Sequence, residues 1–175
     1  MDKNWDEIRT LAMEYAVDNM TNRMMNCGEA VLEALIRSGA VDAPLTAVSY
    51  ATGFGSGGGG AGLTCGALNS VILAYGMERG RKDPASSTDK MELKTKHYNL
   101  YNNIVSDFVK TAKSGLCREI LNAFPEGYKD EQVRPNCRRI AGEAAGIAVD
   151  YLRMGEDEAA GLEYDPEIVG IRNWL

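Results

Sequence analysis

Between residues 53 and 62 seven of the ten residues are glycine, and this run limits how the chain can fold. Glycine has no local preference that would hold such a segment rigid, so its order must come from what packs on it or binds to it. A helical pattern of apolar residues begins directly after it and continues to about Gly80, with Thr64 as the expected N-cap. The sequence therefore predicts a buried helix that begins where a flexible loop ends.

A cysteine occupies the first turn of this predicted helix, at Cys65. First-turn amides have no intrahelical partner and carry the positive end of the helix dipole, so a thiol there is shifted toward the thiolate. We therefore expect a lowered pKa for Cys65 and expect it to be the most activated sulfur of the chain. We also expect the flexible loop to admit a partner to it.

Length, composition and charge narrow the class of protein. A chain of 175 residues that is 45% hydrophobic and 25% charged is typical of one soluble globular domain. The net charge of −6 argues against a nucleic-acid partner. The N-terminal residues are too acidic for a signal peptide, and no apolar stretch is long enough to span a membrane. We therefore expect a cytoplasmic protein with no membrane partner.

Helical periodicity extends over most of the chain and predicts an all-α, single-domain bundle of about six helices with a glycine-rich loop. Residues 45–52 fit either a strand or two helical turns, and Pro44 favours helix. Residues 125–135 are expected to be loop. The helical domain is expected to cover residues 1–154, and residues 155–175 form a C-terminal tail or arm. Residues 168–175 are the expected contact if the chain forms a homo-oligomer.

The four cysteines share one position relative to the predicted helices. Each is expected in the opening turn and in phase with the apolar face, so four helices would direct sulfur atoms toward one interior. In a reducing compartment such cysteines serve catalysis, redox switching or metal binding more often than a static disulfide frame. The catalytic or metal-ligating candidates are Cys27, Cys65, Cys117 and Cys137.

Neighbours of these cysteines add detail to the hypothesis. Asn26 and Asn136 are the expected caps of the helices that begin with Cys27 and Cys137. Arginines follow two of the cysteines, and their charge would lower the pKa of Cys117 and Cys137 further. The arginines concerned are Arg118, Arg138 and Arg139.

The spacing of the cysteines limits the chemistry. The chain has no C-x-x-C, which excludes a thioredoxin-like vicinal dithiol, and no C-x-x-C-H for covalent haem attachment. The separations also differ from compact zinc-finger and ferredoxin patterns. A site assembled by the fold remains, in which the thiols form a disulfide, hold an iron–sulfur cluster or bind a soft metal ion.

These residues together resemble a known family. Cys27, the triplet Cys65–Gly66–Ala67 after the glycine-rich loop, Cys117 and Cys137 are similar to the C_GCAxxG_C_C family, whose members are described as "putative redox-active" proteins with four cysteines. The likeness covers about residues 27–151. It implies a redox role carried by the four cysteines and implies no substrate. The last glycine of the family motif is Ser70 here, which changes the expected closest approach of the helices.

Other motifs give weaker indications. The loop amides and helix start at Gly57, Gly58, Gly59, Gly60 and Thr64 are candidates to cradle an anion or cluster. His97, the only histidine, is either a core residue or a further metal ligand. Glu29, Glu33 and Glu143 lie off the apolar stripes and are expected on solvated faces.

The sequence therefore predicts a redox protein, either an oxidoreductase or an electron-transfer protein, with an unknown redox partner. It would act by thiol–disulfide exchange or through a bound iron–sulfur cluster. One alternative is a non-catalytic soft-metal-binding or sensor protein. A third reading is a structural bundle whose cysteines are buried and inert.

Overall fold

Helices account for the regular structure of the residues that the computed structural model describes, 3–86 and 93–168. No strand occurs among these residues, and the predicted all-α fold is confirmed. None of the helices in these two ranges is long and apolar enough to cross a membrane. The helices are α1 (Trp5–Asn22), α2 (Cys27–Arg37), α3 (Gly66–Arg79), α4 (Asn99–Ala112), α5 (Cys117–Asn122), α6 (Val133–Leu152) and α7 (Glu156–Ala160).

Tighter and wider helical turns connect these elements. The segment that follows Pro44 is a 3₁₀-helix, Leu45–Phe54, so the ambiguous residues 45–52 are helical. A π-helical turn, Leu93–Tyr98, leads directly into α4 and contains His97. Shorter 3₁₀ turns lie at Pro84–Ser86, Gly127–Lys129 and Pro166–Ile168.

Helix α6 is the centre of the bundle, and α1, α2, α3 and α4 all pack against it. Small residues allow α1 to come close: a Cβ at Gly142 would stand 3.0 Å from Cγ2 of Val17, and one at Gly146 would stand 3.0 Å from Sδ of Met13. Close packing of this kind fixes the relative position of the helices because the interior has no room to slip.

The start of α6 differs from the prediction. The helix begins at Val133, so part of the expected loop 125–135 is helical, and Pro135 lies in the first turn. Proline is tolerated there because first-turn amides have no intrahelical acceptor. Asn136 is therefore inside the helix and does not cap it; its amide donates to the Gln132 carbonyl at 3.1 Å. Cys137 consequently lies in the second turn of α6.

The C-terminal segment docks on its own chain. Polar side chains of α4 bond to it: Asn103 Nδ2 donates to the Glu163 carbonyl at 2.7 Å, and the Asp165 amide donates to Asn102 Oδ1 at 2.7 Å. Residues 169–175 lie outside the described residues, and most of the predicted oligomer contact 168–175 falls there. The segment as far as Ile168 therefore lies along α4.

One acidic residue expected in solvent is buried. Glu33 is 3% exposed, and the prediction of a solvated face for it is wrong. Its carboxylate accepts hydrogen bonds of 2.6 Å from Asn19 Nδ2 and 2.6 Å from Arg23 Nη1. The carboxylate is tolerated in the interior because both of its oxygens are hydrogen-bonded. Glu33 thus links α2 to α1 and to Arg23, the residue that follows the last residue of α1.

Candidate thiol site

The glycine run forms a left-handed turn. Ser56, Gly57, Gly58, Gly59 and Gly60 all have φ between 51° and 96°. The turn is closed by its own backbone, because the Gly59 amide donates to the Gly55 carbonyl at 2.8 Å. L-residues avoid left-handed backbone because Cβ meets the carbonyl oxygen, whereas glycine adopts it freely. Glycine is therefore needed here for one defined backbone shape that its own hydrogen bonds hold.

Gly57 brings this turn into contact with α5. A Cβ at Gly57 would stand 2.8 Å from Cβ of Cys117 and 2.6 Å from the backbone nitrogen of Leu63. Such distances leave no room for a side chain. The turn and the cysteine of α5 can approach this closely only because residue 57 is glycine.

A short antiparallel bridge continues the contact between the two segments. The Cys65 amide donates to the Gly115 carbonyl at 2.8 Å, and the Cys117 amide donates to the Leu63 carbonyl at 2.7 Å. Thr64 and Leu116 form the bridge pair between these bonds. The prediction of Thr64 as an N-cap is wrong, because Cys65 holds the N-cap position of α3. The bridge places Cys65 and Cys117 on adjoining segments.

The start of α2 positions Cys27 as the sequence predicts. Oδ1 of Asn26 accepts from the amides of Gly28 at 2.9 Å and Glu29 at 3.1 Å, and the Asn26 amide donates to Oε2 of Glu29 at 3.1 Å. This is a reciprocal capping box, which defines where a helix begins. Cys27 is consequently the first residue of α2.

All four cysteines line one cavity of about 300 Å³. Cys65 and Cys117 are buried, whereas Cys27 and Cys137 are half-buried and closer to solvent. The rest of the wall is largely apolar and includes three methionines. Other residues of the lining are Met20, Met24, Met25, Tyr128, Arg134 and Arg138.

The thiol of Cys27 is the activated one. Its pKa is lowered to about 6, chiefly because the Cys65 thiol donates a hydrogen bond to the thiolate. Burial opposes the shift, and the backbone amides of Ser56, Ala67 and Gly28 add to it. A thiolate that accepts several hydrogen bonds is stabilised relative to the thiol. Three segments of the chain thus contribute N–H groups to one sulfur.

The pKa of Cys65 moves in the opposite direction. It is raised, first because the Cys65 proton is engaged in the bond to Cys27, then by burial and by the charge of the Cys27 thiolate. Cys65 ionises with difficulty while its neighbour is charged, since two thiolates in contact repel each other. The expectation that Cys65 has a lowered pKa is therefore wrong, and Cys27 is the thiolate of the pair.

The other two thiols are also held protonated. Burial and the charge of Cys27 raise the pKa of Cys117, and burial with the charges of Cys27 and Cys117 raises the pKa of Cys137 to about 11. No arginine contributes to either shift, so the predicted lowering of these pKa values by Arg118, Arg138 and Arg139 is wrong. The cavity contains one thiolate among four cysteines.

The remaining predicted site residues lie elsewhere. His97, Gly57, Gly58, Gly59, Gly60 and Thr64 do not line this cavity. Gly57 is buried against Cys117, whereas Gly58, Gly59 and Gly60 are exposed. Ser56, the one non-glycine residue of the left-handed turn, does line the cavity. Its backbone is left-handed, with φ 51°, and such strain at a non-glycine residue is common at functional sites. The sequence alone gave no signal for it, because the strain is visible only in the folded backbone.

The arrangement of the donor atoms determines whether the cavity fits a resident metal ion or iron–sulfur cluster. Sulfur suits soft metals and clusters, and all four sulfurs belong to the cavity wall. In residues 3–86 and 93–168, however, no three His, Cys, Asp or Glu side chains are grouped so that they could hold a metal ion. The spacing in this structure does not fit such a group.

The comparison with protein families identifies the chain. The family model described as "Putative redox-active protein (C_GCAxxG_C_C)" matches residues 25–151. The chain belongs to the C_GCAxxG_C_C family. The matched range begins just before Cys27 and ends near the end of α6, so it contains all four cysteines and the glycine turn. No curated protein and no solved structure matches the chain.

Two positions of the C_GCAxxG_C_C motif have a clear structural role. Gly66 lies against α2 and the 3₁₀-helix, because a Cβ there would stand 2.7 Å from Sγ of Cys27 and 2.7 Å from the Phe54 carbonyl oxygen. Ser70 replaces the last motif glycine and is fully buried. Its hydroxyl donates to the Gly28 carbonyl at 2.7 Å. A serine fits here because its one polar atom bonds to the facing helix.

Proposed function

We propose that this protein is a thiol oxidoreductase that exchanges disulfides through Cys27 and Cys65. The single observation that carries the proposal is the Cys27 thiolate, with a pKa of about 6, hydrogen-bonded to the thiol of Cys65 in an accessible cavity. Membership of a family described as redox-active supports it. A cytoplasmic location, where thiols are kept reduced, is part of the proposal because the exchange starts from the reduced pair.

The exchange has two steps. The Cys27 thiolate attacks one sulfur of a partner disulfide, which forms a mixed disulfide with Cys27 and releases the other partner sulfur as a thiolate. Cys65 gives its proton to the released thiolate, and its own sulfur then attacks Sγ of Cys27. The second partner thiolate leaves and takes a proton from water. The partner disulfide gains two electrons, and the Cys27–Cys65 pair loses two.

Exposure and ionisation assign the order of attack. Cys27 is half-buried and ionised at neutral pH, whereas Cys65 is buried and protonated. The nucleophile must be a thiolate that an incoming sulfur can reach, and the second thiol must remain protonated until the mixed disulfide exists. Formation of that mixed disulfide removes both the hydrogen bond to the Cys27 thiolate and its charge, two of the causes that hold the pKa of Cys65 high. Cys65 is thereby released to ionise.

The second candidate is binding of a soft metal ion or an iron–sulfur cluster by the four cysteines, including a sensor role. The shared cavity favours it, and the spacing of the donors does not. His97 as an additional ligand would have to come from outside this cavity. Purified protein would contain a metal ion or a cluster under the second function but not under the first, so analysis of one preparation distinguishes them.

The test begins with anaerobically purified, reduced protein. We expect incubation with a small neutral disulfide to consume two protein thiols and to yield one cross-link between Cys27 and Cys65, located by peptide mass mapping. Cys65→Ser should accumulate the mixed disulfide on Cys27, and Cys27→Ser should react slowly. Cys137→Ser is the matched control, because it removes a cavity thiol while leaving the proposed pair intact.

Three results would contradict the proposal. Iron with inorganic sulfide in the anaerobic preparation would support a cluster, and stoichiometric zinc or copper would support metal binding. Equal rates in Cys27→Ser and the unmodified protein would show that Cys27 is not the nucleophile, and no reaction of either protein would leave only a helical bundle with inert cysteines. Each outcome is read from metal analysis or from the thiol count of the same sample.

A further inference from the structure

The wall of the thiol cavity contains two charged side chains of the same sign. Arg134 and Arg138 line it, and no aspartate or glutamate does. The two are one helical turn apart on α6, so they lie on the same face of that helix. The chain as a whole has a net charge of −6, so this local positive charge opposes the overall balance.

Neither of these arginines has a partner in the described part of the chain. No ion pair or side-chain hydrogen bond joins Arg134 or Arg138 to any residue in the ranges 3–86 and 93–168. Arg9 and Arg23 are neutralised in contrast, by Asp150 at 3.0 Å and by Glu33 at 2.6 Å. Arg118 and Arg139 also lack an ion pair among the described residues, but they do not line the cavity. Two like charges at this spacing repel each other, and an anion bound between them offsets that repulsion.

The presence of the two arginines in the cavity wall is not explained by a role in lowering the pKa of a cysteine. The stabilisation of the Cys27 thiolate comes from the Cys65 thiol and from backbone amides, and no guanidinium takes part. No guanidinium lowers the pKa of Cys137 either, although Arg138 follows it in the chain. The positive charge is therefore available to something that enters the cavity.

We propose that the disulfide accepted by this site is a small molecule with carboxylate groups, which Arg134 and Arg138 bind while its sulfurs meet Cys27. Guanidinium groups bind carboxylates through paired N–H donors in a fixed geometry. A volume of about 300 Å³ is at the lower end of small-molecule sites, and methionine side chains offer an adaptable apolar wall to the chain of the ligand. This inference rests on the proposed disulfide exchange.

The chemistry is that of the exchange described above with a defined partner. The Cys27 thiolate displaces one carboxylated thiolate and holds the other half as a mixed disulfide. Cys65 then displaces that half, so one disulfide with two carboxylates becomes two carboxylated thiols. Each arginine remains a binding residue, since neither transfers a proton or an electron.

The test compares three small disulfides that differ in charge. They are dithiodipropionate with two carboxylates, hydroxyethyl disulfide without charge, and cystamine with two ammonium groups. The rate of Cys27 oxidation in the full reduced protein is measured with each and divided by the rate of a free small thiol with the same compound. That ratio removes the intrinsic reactivity of each disulfide.

We expect the normalised rate to be highest for dithiodipropionate. The double variant Arg134→Gln with Arg138→Gln should lower this rate roughly tenfold to hundredfold, as expected for losing hydrogen bonds between charged groups. The rate with hydroxyethyl disulfide should stay within about twofold, which also reports that the variant is folded and its thiols intact. Arg139→Gln is the matched control, because Arg139 is on the same helix but outside the cavity lining.

The outcomes separate this inference from the function on which it rests. Equal normalised rates for all three disulfides, or a double variant that behaves like Arg139→Gln, would overturn the carboxylate preference while leaving disulfide exchange in place. A protein that oxidises with none of the three compounds would overturn the exchange itself. Salt should weaken the preference for dithiodipropionate, because it screens exposed charges.

Discussion

Gly66 lies directly against the sulfur atom of Cys27: a Cβ built at Gly66 would stand 2.7 Å from Sγ of Cys27. The glycine that follows Cys65 in the chain therefore makes room for the partner sulfur. The next residue, Ala67, supplies one of the amides that stabilise the Cys27 thiolate. Contact between the two cysteines and the activation of one of them consequently depend on the same turn of α3.

Replacing Gly66 by alanine tests this relationship. We expect Gly66→Ala to lower the free energy of unfolding by about 1–3 kcal/mol through overpacking and to raise the pKa of Cys27 by moving its sulfur away from the amides. Urea unfolding gives the first quantity, and the pH dependence of alkylation gives the second. Gly53→Ala is the control, because nothing lies within 4 Å of a Cβ at Gly53. An unchanged alkylation profile in Gly66→Ala would contradict the structure.

The lowered pKa of Cys27 predicts how stability depends on pH. With a folded pKa of about 6 and an unfolded value near 8.5, the unfolded chain binds more protons between these pH values. The contribution of Cys27 is therefore fully present above about pH 8.5 and is lost as the pH falls through about 6. Above pH 8.5 the raised pKa of Cys65 acts in the opposite sense, since the unfolded thiol ionises and the folded one does not.

The measurement compares reduced protein with Cys27→Ser in urea at pH 6 and pH 8. We expect the difference in unfolding free energy between the two proteins to increase with pH over this interval. The comparison cancels the titration of all other groups that the variant leaves unchanged. A difference that is the same at both pH values would argue against a thiolate at Cys27.

Alanine substitutions at Gly57 and Gly58 distinguish two ways in which replacing glycine in the left-handed turn lowers stability. Both have positive φ, but a Cβ at Gly57 would stand 2.8 Å from Cβ of Cys117, whereas nothing lies within 4 Å of one at Gly58. Gly58→Ala should cost only the left-handed backbone, about 1–2 kcal/mol. Gly57→Ala should add an overpacking cost of about 1–3 kcal/mol. Equal losses in thermal or urea unfolding would show that Cys117 does not approach this turn.

Substitutions at Ser70 test how its departure from the family motif affects stability. Ser70→Ala removes the buried hydrogen bond to the Gly28 carbonyl and should cost about 1 kcal/mol. Ser70→Gly restores the family residue and should cost about 1 kcal/mol more, because glycine is a poor helix former. Urea unfolding of the two variants gives both values. A more stable Ser70→Gly protein would mean that the helices gain from closer approach than the hydroxyl allows.

Local patterns in the sequence are enough to predict the helical fold and the start of α2. Apolar residues at helical spacing predict the bundle, and Asn26 with Glu29 predicts the capping box that makes Cys27 the first residue of α2. These features are local, since helix periodicity and capping involve residues within a few positions of one another. The same local signals were less informative at α6, because Pro135 is acceptable both in a loop and in a first helical turn.

Which cysteine is the thiolate depends on how the helices pack. Cys27 and Cys65 both begin helices, so the helix dipole alone does not separate them. The difference comes from the Ser56 amide and from the proton donated by Cys65, both distant in the chain from Cys27. Glu33 shows the same limit, because its burial depends on Asn19 and Arg23 on a different part of the chain. Ionisation and burial follow from neighbours in space, and those neighbours are known only once the helices are packed.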